Sequence, residues 1–472
     1  MAFAYFFYFA SFITSIFNPF YGLVALIFSV LIRFQDRFPA IASIKPFSLL
    51  FLGLIIGCIV NKDKLSQHIW KQDKLLMGML FFSIFGLLVM EPGDIISETW
   101  EFVSSLAFYY FATRIMQTPK QFVILFSVMS ACIVYMGYEA IVDVALNPET
   151  SIFIDVRNGR WQGLGYYQNA NEFGQLMITT LPFLFAALLM RSSILIKLVS
   201  IIFISILIYV VGKTGSRTVM VLLGMMVILT LILRGNGNII KKGISGGILG
   251  MLLLVVLSFA PGPIQDRLQT VLDAGSDKSF QGRTRAWGHG FDMVMWYPIT
   301  GVGKGQWNEY HGLMPHNSYV QIMAELGPVG IFLFLWILKL CFMEFKPFFV
   351  ETDADPPKSE GLTTGNQVMG LNEANEELHP IFGTPMISSD KGIQNNNTEI
   401  IVDENEDSTK LIYEKTDMQK KTIIIAIVVV MVGWLVYIFL GNQGYAVWTY
   451  FYIGLCSGVR NFHPKVIGRI NA

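Results

Sequence analysis

The segment 261–316 and the residues just after it carry the side chains best suited to chemistry. They read Gly282-Arg283-Thr284-Arg285-Ala286-Trp287, then Gly301-Val302-Gly303-Lys304-Gly305, and close on Met314-Pro315-His316-Asn317-Ser318-Tyr319. Arg283 and Arg285, with Lys304 further on, can present several fixed donors to an anion, and a pyrophosphate suits such a set. An imidazole titrates near neutrality, so His316 fits a general base that takes a proton from an attacking hydroxyl. A plainer reading is that His316 caps the helix that follows or hydrogen-bonds a neighbour. Trp287, Trp296, Tyr297 and Trp307 can stack on a sugar face, or serve only as anchors at the bilayer interface.

Two upstream stretches add to this set. Arg217, in Thr214-Gly215-Ser216-Arg217-Thr218, begins an apolar run; it can reach a shared anion site or simply snorkel to headgroups. The stretch from Arg157 to Asn171, which includes Arg160, Asn169 and Asn171, is rich in amides and aromatic rings. Such a composition recognises hydroxylated ligands, although an ordered turn before a helix accounts for it equally well.

Several chemistries lack their residues. There is no glycine-rich loop ending in Lys-Ser/Thr, no His-Glu-x-x-His and no paired cysteine motif, which argues against an ATPase, a zinc protease or a redox enzyme. Gly301-Val302-Gly303 has no framing strand and helix and is no dinucleotide fingerprint. Asp266, Asp273, Asp277 and Glu309 make no tight acidic pair of the kind that metal-dependent glycosyl transfer wants. Neither a metal nor a cofactor is expected.

These side chains must be positioned by membrane helices. Apolar residues make up 53% of the chain and charged ones only 14%, too much hydrocarbon for a soluble protein of this length. The fold expected is an all-α integral membrane protein of about twelve transmembrane helices, with a large extracytoplasmic loop before the third-last span. The first run, 2–17, lacks a basic leader and a cleavage site and reads as retained. Further spans fall near 46–61, 74–90, 98–116, 121–145, 171–190, 193–211, 217–234, 243–260, 318–345, 422–440 and 443–459. The chain divides into an N-terminal bundle (1–260), the loop 261–316, a helix at 317–345, an insertion at 346–421, and a C-terminal pair with a basic tail (422–472). Acidic residues outnumber basic ones in 346–421, and its apolar runs are too few to offset ordering entropy. It is expected to be disordered, either a solvated insertion or a docking segment for a cytoplasmic partner.

Orientation follows from basic residues in short connections. Lys62 to Lys74, Arg114 with Lys120, Arg191 with Lys197, and Arg234 with Lys241 and Lys242 fall in alternate connections, which can share the cytoplasmic side. The 91–98 turn, the 146–170 loop, the 213–217 turn and 261–316 then face outward. The stretch with Arg33, Arg37 and Lys45 resists this scheme, because it too faces outward. Two short spans in residues 1–33 would put the N-terminus outside and one long broken span would put it inside; the second is preferred. A net charge of zero argues against a nucleic-acid partner. Cys58, Cys132, Cys341 and Cys456 all lie in apolar runs, as small packing residues would.

The chain resembles the O-antigen ligase and polymerase superfamily of bacterial envelope enzymes. The resemblance rests on Arg283-x-x-x-Trp287, on Tyr297-Pro298-Ile299-Thr300-Gly301-Val302-Gly303, on Pro315-His316-Asn317-Ser318-Tyr319, and on Ala324-Glu325-Leu326-Gly327-Pro328-Val329-Gly330-Ile331. Ser216-Arg217 and Asn169-Ala170-Asn171 look like upstream family motifs, so it covers roughly residues 160–345. It implies a metal-independent glycosyltransferase of the bacterial inner membrane. A glycan would pass from a polyprenyl (undecaprenyl) pyrophosphate carrier to an acceptor hydroxyl on lipopolysaccharide core, protein or polysaccharide, on the outer face. His316 would then be the base, with Arg217 and Arg283 or Arg285 on the pyrophosphate. Asn169, Asn171, Arg160, Lys304, Asn317, Tyr319 and Trp287 would contact substrate. A glycan polymerase of the same superfamily is the alternative, and a lipid-linked glycan transporter or flippase is a third; the latter wants polar residues along a path across several spans.

Overall fold

A computed structural model describes residues 2–90, 95–189, 192–234, 278–349, 404–439, 441 and 445–462. Among them there is no strand, only a lone antiparallel bridge between Ile154 and Trp161. In chain order the main helices are α1 (Ala2–Phe17), α2 (Pro19–Ile32), α3 (Pro46–Val60), α4 (Lys71–Met90), α5 (Ile95–Ile115), α6 (Pro119–Leu146), α7 (Ala170–Thr179), α8 (Leu181–Leu189), α9 (Ile194–Thr214) and α10 (Arg217–Arg234). They continue as α11 (Lys278–Trp296), α12 (Trp307–Tyr310), α13 (Ser318–Phe349), α14 (Glu404–Phe439) and α15 (Val447–Gly458).

Seven stretches among the described residues are long and apolar enough to cross a bilayer: Pro19–Arg37, Pro39–Val60, Lys71–Met90, Pro119–Leu146, Ile194–Thr214, Ser318–Lys346 and Lys420–Phe439. The chain is thus an all-helical multi-pass membrane protein, with seven such spans among the described residues where about twelve were expected for the whole chain. Composition explains part of the difference. Glu98, Glu101 and Arg114 interrupt α5, while Pro182 has no N–H to continue α7 into α8 and splits the 171–190 span at Thr180. The expected span at 243–260, loop residues 261–277 and most of the insertion, 350–403, lie outside the described residues. Part of the insertion expected to be disordered is helical, because α14 starts at Glu404, well before the expected 422.

Helix starts follow capping chemistry. Thr118 accepts from the Gln121 N–H while the Gln121 side chain returns to the Thr118 N–H, with Pro119 at the first helical position of α6. Asn18 accepts from the Phe20 N–H ahead of Pro19 and so starts α2 where α1 stops. Tyr8 and Ser29 hydroxyls pair at 3.1 Å, and Ser15 packs so closely on Gly22 that a Cβ there would come within 2.7 Å of it. Residues at growing distance from the Asn18–Pro19 break therefore meet, so α1 and α2 are antiparallel. That corrects the preference for one long broken span in 1–33.

The contacts sort the connections onto two ends of the bundle. At one end the Tyr5 hydroxyl donates to the Ala40 carbonyl, Arg37 pairs with Glu139 through Nε at 2.8 Å, and Arg160 donates to the Thr214 carbonyl at 2.7 Å. At the other end Asn61 donates to the Ile16 carbonyl, Arg114 pairs with Asp73 at 2.6 Å, and Asn461 donates to the Met116 carbonyl. The basic stretch 33–45 thus shares an end with the 147–170 connection, with Arg37 held by Glu139 and Arg33 by Asp36.

The polar segment expected as a loop contains a 19-residue helix, α11. Ala286, Gly290 and Met293 recur on one face and pack against Trp307, Val320 and Ala324. After α11 the chain docks on a break in α13. Gly327 has φ 69 and ψ −175 inside that helix, and Pro328 has no N–H to offer the Ala324 carbonyl. The freed carbonyls are taken by the loop: the Val302 N–H donates to Ala324 at 2.9 Å and the Gly303 N–H to Glu325 at 3.0 Å. A Cβ on Gly301 would lie 2.5 Å from the Ala324 oxygen, so this contact between backbones needs glycine there.

Candidate active site

His316 lies between two fixed neighbours. On one side the Trp287 indole N–H donates to the Pro315 carbonyl at 2.7 Å; on the other the Asn317 side-chain oxygen accepts from the Tyr319 and Val320 N–H groups at 3.0 and 3.2 Å. Asn317, not His316, therefore caps α13, which removes the capping explanation for the histidine. Between the two, His316 takes the left-handed conformation, φ 47, a cost of roughly 1–3 kcal/mol that the surrounding contacts must over-determine. The imidazole is half-buried, and burial, then the charge of Arg283, lowers its pKa below the ordinary 6.5. It is neutral at neutral pH, as a proton acceptor must be.

Helical geometry separates the two arginines, because residues two apart on α11 point about 200° around the axis from one another. Arg283 is half-buried and its charge reaches His316. Arg285 is exposed, and its charge reaches His311, whose ring stacks on His289 at 4.2 Å. The two arginines thus have different neighbours, Arg283 the His316 side and Arg285 the His311 side, where the sequence alone left either of them on the pyrophosphate.

Arg283 also leads to the upstream motifs. It lies within electrostatic reach of the Tyr437 hydroxyl, as do Glu172 and Tyr166. Glu172 follows Asn171, whose side-chain oxygen accepts from Ser216 Oγ at 2.7 Å and from Arg160 at 2.9 Å. Asn169 caps α7 through the Asn171 N–H. Arg160 and the Ser216–Arg217 helix start are thereby brought to the same turn. Residues from Ile154 to Glu172 line a polar cavity of about 710 Å³ that holds Arg157 and Arg160 together with Asp155 and Glu172; Arg217 and Arg283 are not part of that lining.

Four expected substrate contacts are otherwise engaged. Lys304 is 2% exposed and pairs with Glu98 at 2.5 Å and Glu101 at 2.9 Å; burial works against its charge, but the two carboxylates outweigh it and raise its pKa. Asn317 is 2% exposed, with its oxygen spent on the cap. The Tyr319 hydroxyl donates to the Leu435 carbonyl, and its ring packs between Phe334 and Phe439. Trp287 keeps one edge on Pro315 and lies against Phe439.

Acidic side chains that hold this turn were not singled out from the sequence. Glu325 is fully buried and accepts from the Gly305 N–H at 3.0 Å and the Gln321 amide at 3.2 Å, and so holds the 301–305 turn onto α13. Its charge inside an apolar span was the available signal.

Residues 201–335 match the family model described as O-antigen ligase, a stretch that contains Arg217, Arg283, Arg285 and His316. No curated protein matches the chain.

Proposed function

We propose that this chain, similar to O-antigen ligases over the segment that carries its histidine and arginines, is a metal-independent membrane glycosyltransferase. Its donor is a glycan on a polyprenyl (undecaprenyl) pyrophosphate, and its acceptor is a hydroxyl on lipopolysaccharide core, protein or polysaccharide. His316 takes the acceptor proton, the acceptor oxygen bonds to the anomeric carbon, and the bond from that carbon to the pyrophosphate oxygen breaks. Arg283 and Arg217 stabilise the charge that gathers on the departing diphosphate. Asn169, Asn171 and Arg160 face the donor end of the substrate. The protein sits in the bacterial inner membrane with the His316 end outside; α1, α5, the α7–α8 pair, α10, α15 and a span at 243–260 bring the seven to thirteen, one above the expected dozen because α1 and α2 cross separately. The segment 346–421 then lies in the cytoplasm, where a partner can dock.

The observation that carries this reading is a half-buried imidazole with a lowered pKa beside Arg283, in a strained backbone held from both sides. In purified, reconstituted protein His316→Ala should abolish transfer while folding is retained; full activity in that variant would remove the mechanism. Deleting the gene separates ligase from polymerase: unattached full-length chains accumulate if a ligase is lost, single repeats if a polymerase is lost.

A further inference from the structure

A second cavity, of about 770 Å³, lies against α5, the 304–305 turn, the start of α13 and residues 445–448. Its volume is that of a site for a ligand of several rings. Trp100, Tyr166 and Trp448 supply aromatic faces to it, Ser104 a hydroxyl, Gln321 an amide and Glu101 a carboxylate. Flat rings pack on the C–H faces of sugars, while carboxylate and amide oxygens accept from sugar hydroxyls.

Charge decides which glycan. Both cations at this wall are held by carboxylates, Arg33 by Asp36 and Lys304 by Glu98 and Glu101, two positive groups against three negative. The neighbouring cavity carries two arginines, Arg157 and Arg160, and two carboxylates, Asp155 and Glu172, and Tyr166 lines both cavities. A diphosphate or an acidic sugar is repelled by the surplus carboxylate at the Arg33 and Lys304 wall, and a neutral glycan is not. Gln321 lies one turn into α13 from the Asn317 cap, so this cavity reaches the helix that begins beside His316.

We infer that this cavity binds the neutral, hydroxyl-rich glycan of the acceptor, with Trp100 as a stacking platform and Glu101 and Gln321 as hydroxyl acceptors. The word acceptor rests on the transferase reading; the binding does not. Tyr166 then separates donor from acceptor, which borders the acceptor's hydroxyl on the linkage to be cut.

Purified protein in detergent is titrated with the neutral and, separately, the anionic oligosaccharides released from the source cell's own envelope glycans, with tryptophan fluorescence as the readout. The neutral fraction should bind. Trp100 is 62% exposed and Glu101 half or more, so Trp100→Ala and Glu101→Gln remove little packing, and Glu98 stays on Lys304 in the second variant. Each should weaken the neutral fraction about tenfold. His316→Ala should bind as the wild type does, so a failed transferase reading leaves this result standing. No binding of the neutral fraction, preference for the anionic one, equal affinity in both variants, or displacement of the signal by phospholipid vesicles in place of glycan would each overturn the inference.

Discussion

The Trp287 indole N–H donates to the Pro315 carbonyl at 2.7 Å, so α11 grips the chain one residue before His316. Trp287→Phe keeps a ring of similar shape but strands that carbonyl, a penalty of about 1–3 kcal/mol where it is buried. Transfer should fall about tenfold in kcat with little change in donor KM, because the loss is of positioning. An unchanged kcat would show that the bond does not hold His316.

The imidazole sets an acid limit. Burial and Arg283 lower its pKa below the ordinary 6.5, so activity should persist at pH values where an unperturbed histidine is half protonated, and fall below them. The same shift enters stability. The unfolded chain takes up this proton at higher pH than the folded one, so the contribution of neutral His316 is complete above 6.5 and fades as pH drops through 6.5 toward the folded value. Arg283→Gln removes the second cause and should raise the His316 pKa, measurable by NMR of labelled histidine.

The two arginines should part in kinetics. Removing charge stabilisation from a leaving group costs on the order of a hundredfold, the loss expected for transfer by Arg283→Gln. Arg285→Gln, whose charge reaches His311, should stay within a few fold. A larger loss at Arg285 would transfer the anion role to it.

Gly301→Ala should damage the fold before it touches chemistry. Its φ of +64 and the 2.5 Å approach of a Cβ to the Ala324 oxygen leave no room, and the destabilisation should exceed about 2 kcal/mol. A thermal unfolding scan that matches the wild type would contradict the backbone docking.

Lys304→Met leaves Glu98 and Glu101 facing one another without their cation. Both carboxylates keep some solvent, so the cost is closer to about 1–3 kcal/mol than to that of a fully buried pair. Adding Glu98→Gln to Lys304→Met should recover part of it, a double-mutant cycle read from thermal midpoints.

Much of this was legible in the residues. Membrane helices followed from long apolar runs, and the grouping of 147–170 with 213–217 followed from basic residues in alternate connections. The acidic partners of Lys304 were not legible, because Glu98 and Glu101 stand some two hundred positions away and belong to another helix. Nor was α11, whose buried stripe is only Ala286, Gly290 and Met293 set among polar neighbours. Reading it as a loop is what merged Arg283 and Arg285 into one anion site. The Asn18–Pro19 stop was visible, but only Gly22 packed against Ser15 reveals that the chain doubles back there.

The break at Gly327 divides its span into two mechanical units. Residues 318–326 answer to Val302 and Gly303, and through Lys304 to α5; the half beyond Pro328 carries the exposed apolar side chains Phe332, Leu335 and Trp336. The half that begins beside His316 is therefore tied backbone to backbone to the 302–303 turn, while the half beyond the break is held by its buried side chains Phe334, Ile337 and Cys341.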